Sequence, residues 1–254
     1  MIVPRTGAFR SRRVHTYASS MSGGTKIDNA RFIDALAALQ AAFWEEPALL
    51  DAASALCSPW HFYSSLSPTT CRREARGPDD FPSLVVRGWD LLEARAEPDM
   101  AALLGHLLAD PQPLCAALNR YPQTLTHRDI NLGNIGVAQG TRPHVVLLDW
   151  QFCGCAPAAV ELANYLSEFA GLLPLSREAV IAQYRQRLMH HLGGRFDETW
   201  WRPQLDLALL GNFLRSAWAY LLHIAHDETE ERRALFRDEW AWWSGQARRG
   251  AAWL

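Results

Sequence analysis

The 254 residues, 49% hydrophobic and 20% charged, suffice to bury a large core, with roughly 70–75% of the unfolded surface removed from water, which excludes a disordered chain. Near-balanced charge, 25 basic against 27 acidic residues and a formal net charge of −2, gives a nucleic-acid partner no electrostatic support. No run reaches the ~20 consecutive apolar residues of a membrane span, because the most apolar region, 205–225, carries Asp206, Asn212, Arg215 and His223.

Residues 1–27 hold four arginines and Lys26 but no acid, a composition near that of a transit peptide. Pro4, Gly7 and Gly23-Gly24 spoil a regular amphipathic helix, so this segment is expected to be a disordered or remnant leader. From Asp28 to Trp44, Phe32, Leu36, Leu39 and Phe43 recur at helical spacing and Pro47 ends the pattern. A second helix is expected over Ala48 to Cys57. Pro59, Pro68, Gly77 and Pro82 mark 58–82 as loop, and helical patterns return over 83–95, 99–109 and 113–120.

The character then changes. Leu125 to His127 is expected to form a short strand, and Ile135 to Val137 and Val145 to Trp150 form two more, joined by a turn at Gly140. After Pro157 helices are expected over 158–171, 176–192, about 201–225 and 228–246, with Ser176 as an N-cap and Glu178 in the first turn of the second. The pattern implies a mostly helical α+β domain over 28–254 with a short β-hairpin at its polar site.

The five cysteines, 57, 71, 115, 153 and 155, are odd in number and lack a repeated CxxC spacing. They suit small buried hydrophobes better than metal ligands or disulfides, and so a cytoplasmic, reducing compartment.

The run LTHRDINLGNIG sets His127, Asp129 and Asn134 on one short loop, and VVLLDW brings Asp149 to the end of an apolar strand. Phosphoryl transfer to an alcohol needs the attacking oxygen in line, its proton accepted and the phosphate charge offset. Asp129 suits the base. Asn134 and Asp149 suit a Mg²⁺ ion, which favours few protein oxygens plus phosphate and water. A lone loop Asp usually caps its own turn and a lone Asn after Gly133 is usually a turn residue, but the joint pattern favours a site. His127 suits a structural role, bonding backbone to hold the loop. Arg128 either pairs with a carboxylate or touches phosphate, and Asn131 touches either substrate or solvent. Glu161 either braces the loop or is an exposed helix glutamate. His223 and His226 beside Asp227 suggest a solvated helix end, and of Trp240, Trp242 and Trp243 the first and last are expected to pack inward. An aromatic cage for a quaternary amine is the alternative there.

These residues resemble the aminoglycoside phosphotransferase/choline kinase-like family, relatives of the protein kinases. The resemblance is carried by His127-Arg128-Asp129 through Asn134, by Leu147-Leu148-Asp149-Trp150, by Gly154, Pro157 and Glu161-Leu162-Ala163, and more weakly by Leu36 to Trp44. It implies a protein-kinase-like C-terminal lobe using ATP as phosphoryl donor and Mg²⁺ as cofactor, with Asp129 as base and Asn134 and Asp149 as metal ligands, and a small molecule bearing a hydroxyl as acceptor. Two positions depart slightly: Arg128 stands where many antibiotic kinases have Gly, and Glu161 where Asp is usual. A larger departure lies upstream. The family's N-terminal β lobe, with a lysine that grips the phosphates, is expected to be absent or vestigial, because 45–124 reads as helix and loop and Lys26 lacks the strands it would need. The expectation is a truncated, weakly active kinase; the alternative is an inactive pseudokinase acting as a binding or regulatory protein. A metal-dependent hydrolase is disfavoured, because no further carboxylates or histidines flank the two aspartates.

Overall fold

The computed structural model describes residues 29–51, 55–77, 80–138 and 144–254; the leader, with Gly23-Gly24 and Lys26, and the turn at Gly140 lie outside the described residues. The first amphipathic pattern forms α1 (Asn29–Ala42), which buries Phe32, Ile33 and Leu36 against Val180, Tyr184 and Leu188 of α10 (Arg177–Leu192). Gln40 of α1 is fully buried and joins four elements. Its Nε2 donates to the Ala158 carbonyl at 3.1 Å, its own carbonyl accepts from Thr124 Oγ1 at 2.7 Å, and its Oε1 accepts from the Tyr184 hydroxyl. A buried amide is tolerable because each polar atom has a partner.

The expected helix over Ala48 to Cys57 is a single turn, α2 (Pro47–Leu50), which ends at an extended Asp51. Cys57 is pulled elsewhere: its N–H donates to the Cys153 carbonyl at 2.9 Å. The next segment corrects the loop expectation. Pro59 and Pro68 stand at the first positions of α3 (Pro59–Ser64) and α4 (Pro68–Glu74), with Ser58 and Ser67 as N-caps accepting from His61 and Thr70 N–H at 3.1 and 3.2 Å. Proline breaks a helix interior but suits a helix start, where its missing N–H would have no partner. The later patterns fall into α5 (Phe81–Trp89), α6 (Leu92–Arg95), α7 (Pro98–Ala109) and α8 (Gln112–Leu118).

Two antiparallel ladders follow. The expected hairpin is β2 (Ile135–Ala138) with β3 (His144–Leu147), in register Ile135 to Leu147. The strand β1 (Thr124–Thr126) pairs instead with β4 (Gly154–Ala156), Thr126 opposite Gly154, a strand too short to show a period. β3 stops at Leu147, short of the expected Trp150, because Asp149 turns into the left-handed region at φ 63.

The helical half is built on α11 (Glu198–His226), which packs against α5, α9 (Ala159–Glu168) and α12 (Glu230–Ala251). Ser176, Asp197 and Thr229 cap α10, α11 and α12 through N–H bonds from Ala179, Thr199 and Arg232. Trp240 and Trp243 pack inward, and the exposed face of Trp242 is covered by the Arg177 guanidinium at 4.5 Å, so an aromatic cage there would meet the protein's own cation. No helix of the described residues is long and apolar enough to cross a membrane.

Gly88 lets α5 close on α11: a Cβ there would lie 2.3 Å from the Trp218 carbonyl oxygen. Gly88→Ala gains ~1 kcal/mol of helix propensity against overpacking of about 1–3 kcal/mol or more. Because the obstacle is backbone, the loss wins: a net destabilisation of about 2 kcal/mol is expected, read as a lower urea midpoint at unchanged slope.

Candidate active site

The loop leaving β1 is held from below by α9. Glu161, 1% exposed, accepts the backbone N–H groups of both His127 and Arg128, the latter at 3.1 and 3.2 Å. One helical turn on, Asn164 Oδ1 accepts the Ile130 N–H at 2.9 Å. Burial pushes the Glu161 carboxyl up to about 7, against the two N–H bonds that favour its charged form. Of the two environments open to Glu161 in the sequence, the buried one is observed.

Arg128 takes a left-handed backbone, φ 64, a conformation that costs a non-glycine residue of order 1–3 kcal/mol. Its side chain is tied down in compensation. Nε donates to Thr126 Oγ1 at 3.0 Å, Nη1 to the Cys57 carbonyl at 2.9 Å and Nη2 to the Cys155 carbonyl, with the guanidinium 5.1 Å over the Phe62 ring. These partners are carbonyls and a hydroxyl rather than the expected carboxylate or phosphate. Gly154 makes room for this cation: a Cβ there would stand 2.5 Å from both Arg128 Nη1 and the Cys57 oxygen.

His127 is buried and its tautomer follows from its partners. A carbonyl can only accept, so Nε2 donates to Leu148 O at 2.8 Å; Nδ1 accepts the Asp129 N–H at 3.3 Å. The ring is therefore neutral, and burial holds its pKa below 6.5. It also meets the edge of Trp150 at 4.7 Å.

Asp129 is 5% exposed. Its Oδ1 accepts from Asn131 Nδ2 at 3.3 Å and its Oδ2 from Asn134 Nδ2 at 3.1 Å, and both amides also reach its carbonyl. Asn131 in turn accepts the Gly133 N–H, closing the loop on itself. The structure thus brings Asp129 and Asn134 side by side. Asn134 spends Nδ2 on Asp129, which turns its Oδ1 away as a potential metal ligand. Asp149 arrives through the chain rather than through a side-chain bond: the Leu148 N–H donates to Asn134 O at 2.8 Å while the Leu148 carbonyl receives His127. The Asp149 carboxylate is exposed, with Gln151 Nε2 at 3.5 Å.

Among the described residues no group of three or more His, Cys, Asp or Glu side chains is arranged to hold a metal. One amide oxygen and one carboxylate fit a cation that takes most of its ligands from phosphate and water, as Mg²⁺ does. All five cysteines are free thiols.

Against Asp129 lies a cavity of about 170 Å³, lined by residues of α5, α9, α11 and α12, among them Phe81, Asn164, Asn212, Trp218, His223 and Phe236. His223, expected at a solvated helix end, instead lines this cavity, its Nδ1 3.1 Å from Asp227 and its ring stacked on Phe236 at 4.1 Å. His226 stays exposed. Sequence reasoning missed Asn164 and Asn212; the i,i+3 spacing of Glu161 and Asn164 was the available signal for the first.

A loop braced by the following helix, a second acidic loop bonded to it and a cavity against Asp129 make up the candidate site. The APH model, Phosphotransferase enzyme family, matches residues 28–203, and the chain belongs to that family. No curated protein matches it. The match ends inside α11, so Asn212, Trp218, His223 and Phe236 lie beyond it.

The Glu161 carboxyl gives a signed pH test. Its folded pKa is raised from 4.5 to about 7, so its contribution to stability is fully present below 4.5 and is lost as pH rises through about 7. The stability difference between wild type and Glu161→Gln should therefore move against the wild type between pH 4.5 and 7 and flatten above, as measured by urea unfolding at a series of pH values.

Proposed function

We propose that the chain transfers the γ-phosphoryl group of ATP to a hydroxyl of a small molecule, and that the described residues form the protein-kinase-like C-terminal lobe of that machinery. The observation that carries this reading is the Asp129 carboxylate, held by two amides at the wall of a cavity, with Asn134 on the same loop and the exposed Asp149 on the adjoining one. Asp129 accepts the proton of the acceptor hydroxyl and orients its oxygen. Asn131 and Asn134 keep that carboxylate aimed by donating to one oxygen each, which leaves lone pairs on both for the hydroxyl. Asn134 Oδ1 and the Asp149 carboxylate would hold Mg²⁺, which when bound offsets the phosphate charge. His127 acts through Leu148: its neutral ring ties the Asp149 loop to the catalytic loop and takes no proton from substrate. Glu161 and the Arg128 guanidinium position the same loop from beneath.

The family match and the convergence of the two loops support this assignment; free thiols are in keeping with a reducing, cytoplasmic setting. Turnover is proposed to be slow, because the sequence holds a single lysine and the described residues between 45 and 123 form helices and loops rather than a sheet that would present a lysine to the phosphates. That same observation favours the second reading, a binding or regulatory protein that holds Mg²⁺·ATP without transferring phosphate.

Positioned general bases contribute typically 10²–10⁴-fold. Asp129→Asn should therefore lower kcat by about 10²–10⁴-fold with nucleotide binding retained, whereas Asp149→Ala should weaken Mg²⁺·ATP binding itself, followed by tryptophan fluorescence. Wild-type binding without transfer to any alcohol would select the second reading. No nucleotide binding at all would remove both.

A further inference from the structure

The cavity at Asp129 restricts what the acceptor can be. We infer that it takes an uncharged, polyhydroxylated ring of monosaccharide size rather than a polycationic acceptor, with Asn212 and His223 as the residues that recognise it; this rests on the phosphotransferase reading of the same site.

The cavity is small. About 170 Å³ lies below the ~300–1,000 Å³ of pockets that enclose drug-sized ligands, so a single ring fills it and further rings would have to lie outside. Its charges are balanced. From charged groups, an ammonium ion gains attraction only where a carboxylate has capacity to spare. The cavity has two, Asp129 and Glu168. Asp129 receives Asn131 and Asn134 and is committed to the reacting hydroxyl, and Glu168 is engaged with a partner of its own. Two guanidinium groups, Arg128 and Arg215, share the lining; Arg215 is pinned to the Phe62 carbonyl and to Ser65 Oγ at 2.9 Å, 3.8 Å over the Phe62 ring. Two acids and two fixed cations give an ammonium ion no net attraction.

The lining pairs polar with apolar groups. Asn212 lines the cavity, its Nδ2 is buried without a hydrogen-bond partner in the protein, and an acceptor oxygen that draws this amide round to the cavity would relieve that cost. His223 presents a ring fixed on two sides, by Asp227 at Nδ1 and by the face of Phe236, so its Nε2 edge has a defined direction. Trp218 and Phe81, packed edge to face at 5.7 Å, supply apolar surface to the same cavity. Hydroxyls on the edge of a ring and C–H bonds on its face are the chemistry that matches such a wall.

The test titrates the full chain by calorimetry with myo-inositol and glucose, and with glucosamine and choline as amine-bearing probes of similar size. The neutral rings are expected to bind at least about tenfold more tightly than the amines, and Asn212→Leu to weaken them about tenfold, the size of one good hydrogen bond. His223→Gln serves as a second variant should Asn212→Leu unfold. Tighter binding of glucosamine or choline, unchanged ring affinity in both folded variants, or no binding of either neutral ring would each overturn the inference. Mg²⁺·ATP titration of wild type and Asp149→Ala on the same preparations reports separately on the phosphotransferase reading, so an acceptor failure with nucleotide binding intact is distinguishable from failure of the site as a whole.

Discussion

The grip of one buried carboxylate on two consecutive backbone amides organises everything around it. Glu161 meets the N–H groups of His127 and Arg128, and those amides belong to residues whose backbone has left the β1 ladder and turned left-handed at Arg128. Without an acceptor below, each buried N–H would cost about 1–3 kcal/mol, and the strained turn would have nothing to hold it. With the acceptor in place, the loop is a fixed extension of α9, and Asn164 repeats the tie one turn later at Ile130. Burial makes this carboxyl a weak acid for a glutamate, while the two N–H bonds and the nearby Arg128 guanidinium pull the other way.

From that anchor the site is assembled by short links, each to the next. His127, fixed by its own amide, reaches Leu148; Leu148 reaches Asn134; Asn134 reaches Asp129. Of the three non-glycine residues with positive φ among the described residues, two, Arg128 and Asp149, mark the two loops that converge. Strain concentrated at both is typical of places where geometry serves a site, and here each is over-determined by neighbouring bonds.

The family match covers the loops and their support but stops within α11. The cavity is completed by residues beyond that limit, from Asn212 to Phe236. Matched residues carry both loops and part of the cavity wall, among them Phe81, Asn164 and Glu168, and unmatched ones complete it.

Long helices were legible because their apolar spacing is a local property: α1, α10, α11 and α12 fall where the periodicity puts them. Pro59 and Pro68 were misleading, since one residue type both breaks a helix and begins one, and only the Ser caps in front decide which. The stretch after Ala48 failed differently. Its helix ends at Leu50 with Asp51 extended, and the Cys57 amide goes to Cys153, distant in sequence.

The polar motif, with Asp129, Asn134 and Asp149 in a strand-and-loop setting, and the helical character of the remainder were set by the sequence alone, because turn chemistry and apolar period act over a few residues. Tertiary structure decided that Glu161 is buried under the loop, that Arg128 spends its guanidinium on carbonyls instead of acids, and that His223 lines a cavity rather than a solvated end. Each of those outcomes depends on groups brought together from remote segments, where desolvation rather than local propensity chooses the partner.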